Sequence, residues 1–550
     1  MGRLVLSRRG RWQLMSFRPK NGRMHPVETF EVVLVLLALV IALHWVAQRI
    51  GLPPATALLV GGGALAFVPG LPQIVLDPEL ALVLFLPPLL MDGAYYTAFG
   101  RFRRHLPGII SLAVGAVLFT TIAVAGVTHM LLPQLPWAAC FALGAIVSPP
   151  DAVSARAVLH GVVLPRRLTA LLEGESLLND ATGLVLFRFA VAATLSGVFD
   201  AGEAVQSFVL LALGGVAVGI GAGASWVLIV KRLHDQTLII AATTLLGWGA
   251  YLAGEWLHVS GVIATVTAGL ILGWYQHEIF PANVRLRGSA FWQTLVFVLE
   301  ALVFILIGFS LRAVVERVGG FEAVSASMAL PILGVLGAVV LARFVWVFGS
   351  DVMLTALRRL GWRRARPLGP RQAVVLGWAG MRGVVTLAVA LTLPAQMPGR
   401  DLMLVTAFAV IFATVVLQGT SLGWLIRRFQ PEDKDPPARL SLADSEAAVA
   451  RAKAAAVEAN AYDGDGTLIH PQLLEQYRKR AEATERYAQD VDGFMARIRS
   501  HFDVTLLAIA AGRAELIRQH RAGQIEDETL HNLERDLDLE EMGTIFQRDG

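Results

Sequence analysis

The sequence predicts an all-α membrane protein of about thirteen transmembrane helices followed by a helical tail. Three observations predict it. Of the 550 residues, 55% are hydrophobic and only 16% charged, with a mean hydropathy of +0.59, far more apolar than a soluble domain. Stretches of the ~20 mostly apolar residues that a helical crossing needs recur from Phe30 to Ile426, separated by short polar interruptions. Acidic residues then gather at the end, where Pro431 to Gly550 holds 24 of the 43 acids but 15 of the 47 bases. The expected domains are a basic extension over 1–28, a membrane domain over 29–430 and a helical domain over 431–550.

In order, the predicted spans cover 29–50, 54–69, 79–98, 106–132, 137–159, 168–197 and 205–230, then 237–257, 258–276, 291–314, 327–356, 370–394 and 402–428. The loops after odd-numbered spans carry most of the positive charge. Arg101, Arg103 and Arg104, Lys231 and Arg232, the six arginines from Arg358 to Arg371, and Arg427 with Arg428 are among them. The opposite loops hold only Arg312, Arg317 and Arg400, which puts the tail in the cytoplasm. These clusters record topology, and nucleic acid is not an expected partner. The first 23 residues, with seven bases, contradict that orientation; a different span count, a translocated extension or a start at Met24 would resolve it, and Met24 is the reading adopted. Cys140, the sole cysteine, lies in an apolar run, so an internal disulfide is impossible.

The tail reads as helices around 447–459, 471–499, 506–517 and 530–545. Between the first two lies Tyr462-Asp463-Gly464-Asp465-Gly466, whose aspartates are spaced as in a calcium loop. Counting from Asp463, however, position six is Leu468 and position twelve is Leu474, where glycine and a bidentate glutamate are needed, so a plain turn is expected.

A charge at the bilayer centre costs ~2.5–3.5 kcal/mol on insertion scales, so acids inside spans are functional candidates. The sixth span carries Glu173-Gly174-Glu175-Ser176-Leu177-Leu178-Asn179-Asp180. Ser176 and Asp180 stack at i, i+4, as do Glu175 and Asn179. Asp180 offers one negative charge that either a proton or a bare monovalent cation can neutralise, and Ser176 offers a neutral oxygen. An exposed Asp titrates near ~3.9, so such competition near neutral pH requires a partly desolvated carboxylate.

The fifth span contains Ser148-Pro149-Pro150-Asp151, where two missing amides should break the helix and leave Asp151 beside the break. The twelfth contains Gly380-Met381-Arg382-Gly383, glycines around an arginine that must be partnered inside lipid. Glu175 is the expected partner of Arg382, which would leave Asp180 as the titrating group.

Together with Leu86-Pro87-Pro88-Leu89-Leu90-Met91-Asp92 and Ala342-Arg343-Phe344, these motifs resemble those of the monovalent cation:proton antiporter 1 family over roughly Glu31 to Arg428. The resemblance implies Na+ and H+ as substrates, with K+/H+ exchange the alternative, and alternating access without a cofactor in the cell (inner) membrane. It implies a cation and proton site at Asp180, with Ser176 and a carbonyl near Pro150 as further Na+ ligands. Asn179 and Asp151 would form a crossing network, and Glu175 with Arg382 a supporting pair. Asp92 would lie along the cation's route and Arg343 would position the site. Glu300, where many relatives carry Asn, has no assigned role. The Asn-Asp pair Asn179-Asp180 implies electroneutral exchange of one cation per proton. Relatives often carry threonine where this chain has Pro150, which leaves the choice among Na+, Li+ and K+ open. The family fold implies two inverted repeats with broken crossing helices, and a homodimer; the interrupted spans five and twelve occupy corresponding places if spans one to six and eight to thirteen are the repeats.

Two other classes compete. An intramembrane aspartyl protease would use Asp151 and Asp180 as a dyad, but its Gly-x-Gly-Asp motif is absent around both. A channel would need a repeated filter loop, whereas these acids lie on helix faces near a break.

Overall fold

Prolines and glycines set where the helices start, stop and break. The computed structural model describes residues 4–6, 12–14, 26–68, 78–151, 164–198, 200–362, 366–433, 435, 440–489 and 491–549. It divides into two units, Met1–Lys434 and Asp435–Gly550.

The first unit contains α1 (Pro26–Ile50), α2 (Pro54–Ala66), α3 (Pro78–Tyr96), α4 (Phe99–Leu131), α5 (Trp137–Val147), α6 (Arg166–Ser196), α7 (Ala201–Val230) and α8 (Gln236–Trp256). It continues with α9 (Gly261–Ile279), α10 (Ala282–Val318), a short α11 (Phe321–Ser327), α12 (Ala329–Arg359), α13 (Pro370–Trp378), α14 (Val384–Leu391) and α15 (Arg400–Phe429). Among the described residues, nine helices are long and apolar enough to cross a membrane: α1, α3, α4, α6, α7, α8, α10, α12 and α15. The chain is a multi-pass membrane protein and is mostly helical.

The sequence reading passed over one feature, a small hairpin in which Leu4–Leu6 pairs antiparallel with Trp12–Leu14. Val5 and Trp12 are β-prone, and apart from Gln13 both strands are apolar. Met24 and the end of the fifth span, 152–159, lie outside the described residues.

Several helices begin on side-chain caps. Asp200 accepts from the amides of Gly202 and Glu203 at 2.7 and 3.1 Å, Asp235 from Leu238 at 2.8 Å and Ser260 from Ile263 at 3.2 Å. α4 starts earlier than predicted because its first turns are amphipathic, burying Phe102, His105 and Ile109 while Arg101, Arg103 and Arg104 face outward. Inside α3, Pro87 has no amide to give the Val83 carbonyl, and the Trp248 indole of α8 donates to that carbonyl instead at 3.0 Å. α2 and α10 meet backbone to backbone: a Cβ on Gly62 would lie 2.5 Å from the Ile305 carbonyl oxygen, and one on Gly308 2.5 Å from the Gly63 nitrogen.

The second unit contains α16 (Leu442–Ala459), α17 (Pro471–Gln489), α18 (Val491–Arg521) and α19 (Asp527–Asp549). Ser441 and Asp444 form a capping box on α16, and the Ser441 hydrogen bonds hold the Asp444 carboxyl below its usual range. Arg451–Glu485 at 2.8 Å links α16 to α17, and Arg513 meets Asp538 and Glu541, each at 2.6 Å, across α18 and α19. The Asp463 segment is a turn, with its carboxylate accepting the amides of Asp465 and Thr467 at 3.0 and 2.8 Å. Leu474, where a calcium loop needs a ligand, is buried in this unit.

Candidate functional site

α5 stops at Val147, and the chain runs unwound from Ser148 to Asp151, because Pro149 and Pro150 have no amide hydrogens to continue the ladder. A second interruption, Ala379 to Gly383, separates α13 from α14. The two unwound segments touch, the Asp151 amide donating to the Met381 carbonyl at 2.7 Å.

Arg382 sits at this crossing, 1% exposed. Its guanidinium donates to the carbonyls of Val147 at 2.9 Å, Ser148 at 3.2 Å and Gly380. Its own amide donates to Thr414 Oγ1 at 3.1 Å, at the start of a π-helical turn, Thr414–Gln418, within α15. The expected Glu175–Arg382 pair is therefore corrected. Glu175 receives a bidentate pair from Arg343 of α12, at 2.6 and 2.9 Å, with both residues buried. The reason is that carbonyls left open at the end of α5 already compensate Arg382, whereas Arg343 has one carbonyl, Leu376 at 3.2 Å, and needs a carboxylate.

Glycine leaves room for a side chain at both ends of this arrangement. A Cβ on Gly380 would lie 2.4 Å from Arg343 Cδ, and one on Gly383 only 1.8 Å from Asp151 Oδ2. Asn179, fully buried on α6, donates Nδ2 to the Pro150 carbonyl at 2.5 Å, while its Oδ1 has no hydrogen-bonding partner among the described residues.

Asp180, 8% exposed, opens into a cavity of about 30 Å³. Its polar wall comprises Asp151, Glu173, Ser176 and Asp180; α3 contributes Leu86, Leu89 and Leu90, and α14 contributes Val384 and Val385. At ~10–15 Å³ per water, this room suits a pair of waters or one small ion and excludes an organic solute. The sequence-predicted Asp180, Ser176 and Asp151 thus share one wall, with Asn179 and Pro150 hydrogen-bonded behind it. Asp92 is half-buried beside Gly93, a residue of the cavity wall, but is not on the wall itself, and neither is Glu300, half-buried on α10.

Two residues were missed. Glu173 was quoted in the motif without a role, although it is an acid one turn before Ser176. Asp351, buried on α12, accepts the amides of Leu368 and Gly369 at 2.5 and 3.0 Å and so fixes the approach to α13. It was an acid inside a predicted span, which is the signal that singled out Asp180.

Residues 34–428 match the profile of the sodium/hydrogen exchanger, transmembrane, family. The chain is 30% identical over 533 residues to an uncharacterised Na+/H+ exchanger of Mycobacterium tuberculosis, covering 94% of this chain and 96% of that one. It is 35% identical over 417 residues to a sodium, potassium, lithium and rubidium/H+ antiporter of Bacillus pumilus, covering 72% and 61%. Its fold is similar to that of the sodium proton antiporter MjNhaP1 of Methanocaldococcus jannaschii, with a TM-score of 0.59 at 21% identity, over 74% of this chain and all of that one. With a profile match over most of its length and an exchanger relative matched almost end to end, the chain belongs to the sodium/hydrogen exchanger family, whose members are cation/proton antiporters.

Proposed function

We propose that this chain exchanges Na+ for H+ across the membrane, one for one, with Asp180 as the carboxylate that the two ions share. The observation that carries the reading is the small cavity on which Asp180, Ser176 and Asp151 converge, beside the crossing of the two unwound segments. A dehydrated Na+ would take Asp180 and Ser176 Oγ as ligands, with Asn179 and the Pro150 carbonyl behind them. A proton would displace it by neutralising the same oxygen. Either occupant leaves the site with the same net charge, and Asn179 does not titrate, so exchange is electroneutral. Glu175 with Arg343, and Arg382 with its carbonyls, hold the site while it alternates between the two sides. The arrangement belongs to a membrane domain of thirteen crossings in two inverted repeats, working as a homodimer, with a cytoplasmic regulatory tail.

A broader cation range is the second reading. It is favoured by the likeness to the Bacillus antiporter named for four cations, and by Pro150, which provides no hydroxyl to narrow the choice.

The test is dequenching of a pH-sensitive dye in proteoliposomes given Na+, Li+ or K+ in turn. Asp180→Asn should abolish the response, and clamping the membrane potential should leave the wild-type rate unchanged. Undiminished exchange in Asp180→Asn would overturn the assigned role, and a rate that follows the potential would overturn electroneutrality.

A further inference from the structure

We propose that Glu173 is the entry carboxylate for the cation, poised against Arg101 at the mouth of the route to Asp180. This role presupposes that Asp180 carries the exchange.

Glu173 lines two cavities. It lines the one that holds Asp180 and Ser176, and also a second, of about 100 Å³, walled by Tyr96, Thr97, Arg101 and Thr169. The second lies where the turn between α3 and α4 meets the first turns of α6, and its wall is mostly polar. Along α6, Thr169, Glu173, Ser176 and Asp180 follow at intervals of four, three and four, so they form one polar stripe running from the mouth to the site. Seven residues of helix place the Glu173 and Asp180 backbones about 10 Å apart, two turns, which an ion covers with Ser176 midway. Away from this mouth the surroundings change. Val384 is shared between the Asp180 cavity and a third one walled by Phe85, Val303, Leu306, Leu387 and Leu391, whose surface is almost wholly apolar and whose one hydroxyl, Ser310, is turned to the Leu306 carbonyl. Among the described residues, the polar route therefore runs past Glu173.

Charge gives Glu173 a further task. Arg101 faces the same mouth and repels a cation, so the acid must offset it; focused potentials in such clefts raise the local concentration of a counter-ion. Glu173 thus sets the capture of the cation, and Asp180 its exchange.

The test measures initial exchange rates against Na+ concentration in proteoliposomes at low ionic strength. Glu173→Gln should raise the half-saturating Na+ concentration about three- to ten-fold with the maximal rate kept within about two-fold, the signature of lost capture and not of lost chemistry. Glu173→Asp should restore near wild-type behaviour, and Arg101→Gln should shift half-saturation the opposite way. Both shifts should shrink as ionic strength rises from ~0.01 to ~0.15 M, where the screening length falls from ~30 to ~8 Å. A structural role would move neither the sign nor the salt dependence. Unshifted half-saturation in Glu173→Gln, alongside an inactive Asp180→Asn, would overturn the entry role alone; exchange persisting in Asp180→Asn would overturn the reading of the site and this role with it. Should Glu173→Gln fail to assemble, Arg101→Gln still decides, since an unchanged half-saturation there removes the charge balance on which the role depends.

Discussion

The two unwound segments of the membrane unit face opposite hydrogen-bonding deficits. Ser148 to Asp151 is short of donors, because Pro149 and Pro150 have no amide hydrogen, and it leaves carbonyls at Val147, Ser148 and Pro150 to be satisfied. Ala379 to Gly383 is rich in donors, because Arg382 brings a five-donor guanidinium and its glycines let that group lie against backbone. Each break alone would be costly inside a membrane. Crossed, they satisfy one another, with Asn179 supplying the donor that Arg382 does not reach. The difference teaches that the crossing is built on backbone acceptors meeting one arginine, with the buried Glu175–Arg343 pair packed against its Gly380 end.

The largest expected effect comes from removing the shared donor. Arg382→Met would strand carbonyls of Val147, Ser148 and Gly380 at roughly 1–3 kcal/mol each, enough to prevent assembly. Size-exclusion profiles after detergent extraction should show almost no monodisperse protein, and Arg382→Lys should recover only part, since one ammonium cannot reach every carbonyl. A well-folded Arg382→Met would break the comparison.

Next comes the carboxylate pair. Glu175→Leu leaves Arg343 charged and buried, a loss of about 3–5 kcal/mol, and adding Arg343→Met should return most of the thermal stability. A double-mutant cycle should find strong coupling of Glu175 to Arg343 and weak coupling to Arg382, the latter measured with the partly assembling Arg382→Lys. The reverse ranking would restore the pairing expected from sequence.

That pairing also shows which parts of the molecule were legible. The breaks were, because Pro149-Pro150 and Gly380/Gly383 are residue types whose backbone chemistry admits few alternatives. Asp180 and Ser176 were, because helical spacing places them on one face. The partner of Glu175 was not. A carboxylate offers a linear reading several arginines, and an arginine satisfied by carbonyls has no partner residue to find, so Arg382 attracted an acid that Arg343 holds. Glu173 escaped for a related reason: lining two cavities is a property of packed helices and leaves no mark on the local motif. The extra turns of α4 were hidden by Arg101, Arg103 and Arg104, whose charge reads as loop although Phe102, His105 and Ile109 are buried between them.

Gly383→Ala should have an intermediate effect. The added methyl would fall 1.8 Å from Asp151 Oδ2, so the carboxylate must leave its place on the cavity wall. Assembly should survive, because the Arg382 bonds to carbonyls are untouched, while proteoliposome exchange falls at least about ten-fold, an effect of the order a small misplacement of reacting groups produces. Normal exchange would mean that exchange does not need Asp151 at its place on the wall.

The smallest effect tests whether the second segment's donors are satisfied beyond the crossing. Thr414 Oγ1 accepts the Arg382 amide at 3.1 Å while donating to the Val410 carbonyl at 2.7 Å, so one hydroxyl joins the unwound segment to the π-helical turn of α15. Valine has nearly the same shape but offers no oxygen. Thr414→Val should therefore strand one buried amide and lower stability by about 1–3 kcal/mol, seen as a lower thermal midpoint with exchange retained. Thr414→Ser keeps the hydroxyl and should sit close to wild type. If serine and valine fall together, the loss belongs to packing of the threonine methyl, and the Arg382 amide draws nothing from α15. If only valine falls, the arginine is anchored at both its amide and its guanidinium, which explains how one side chain can serve carbonyls from both segments.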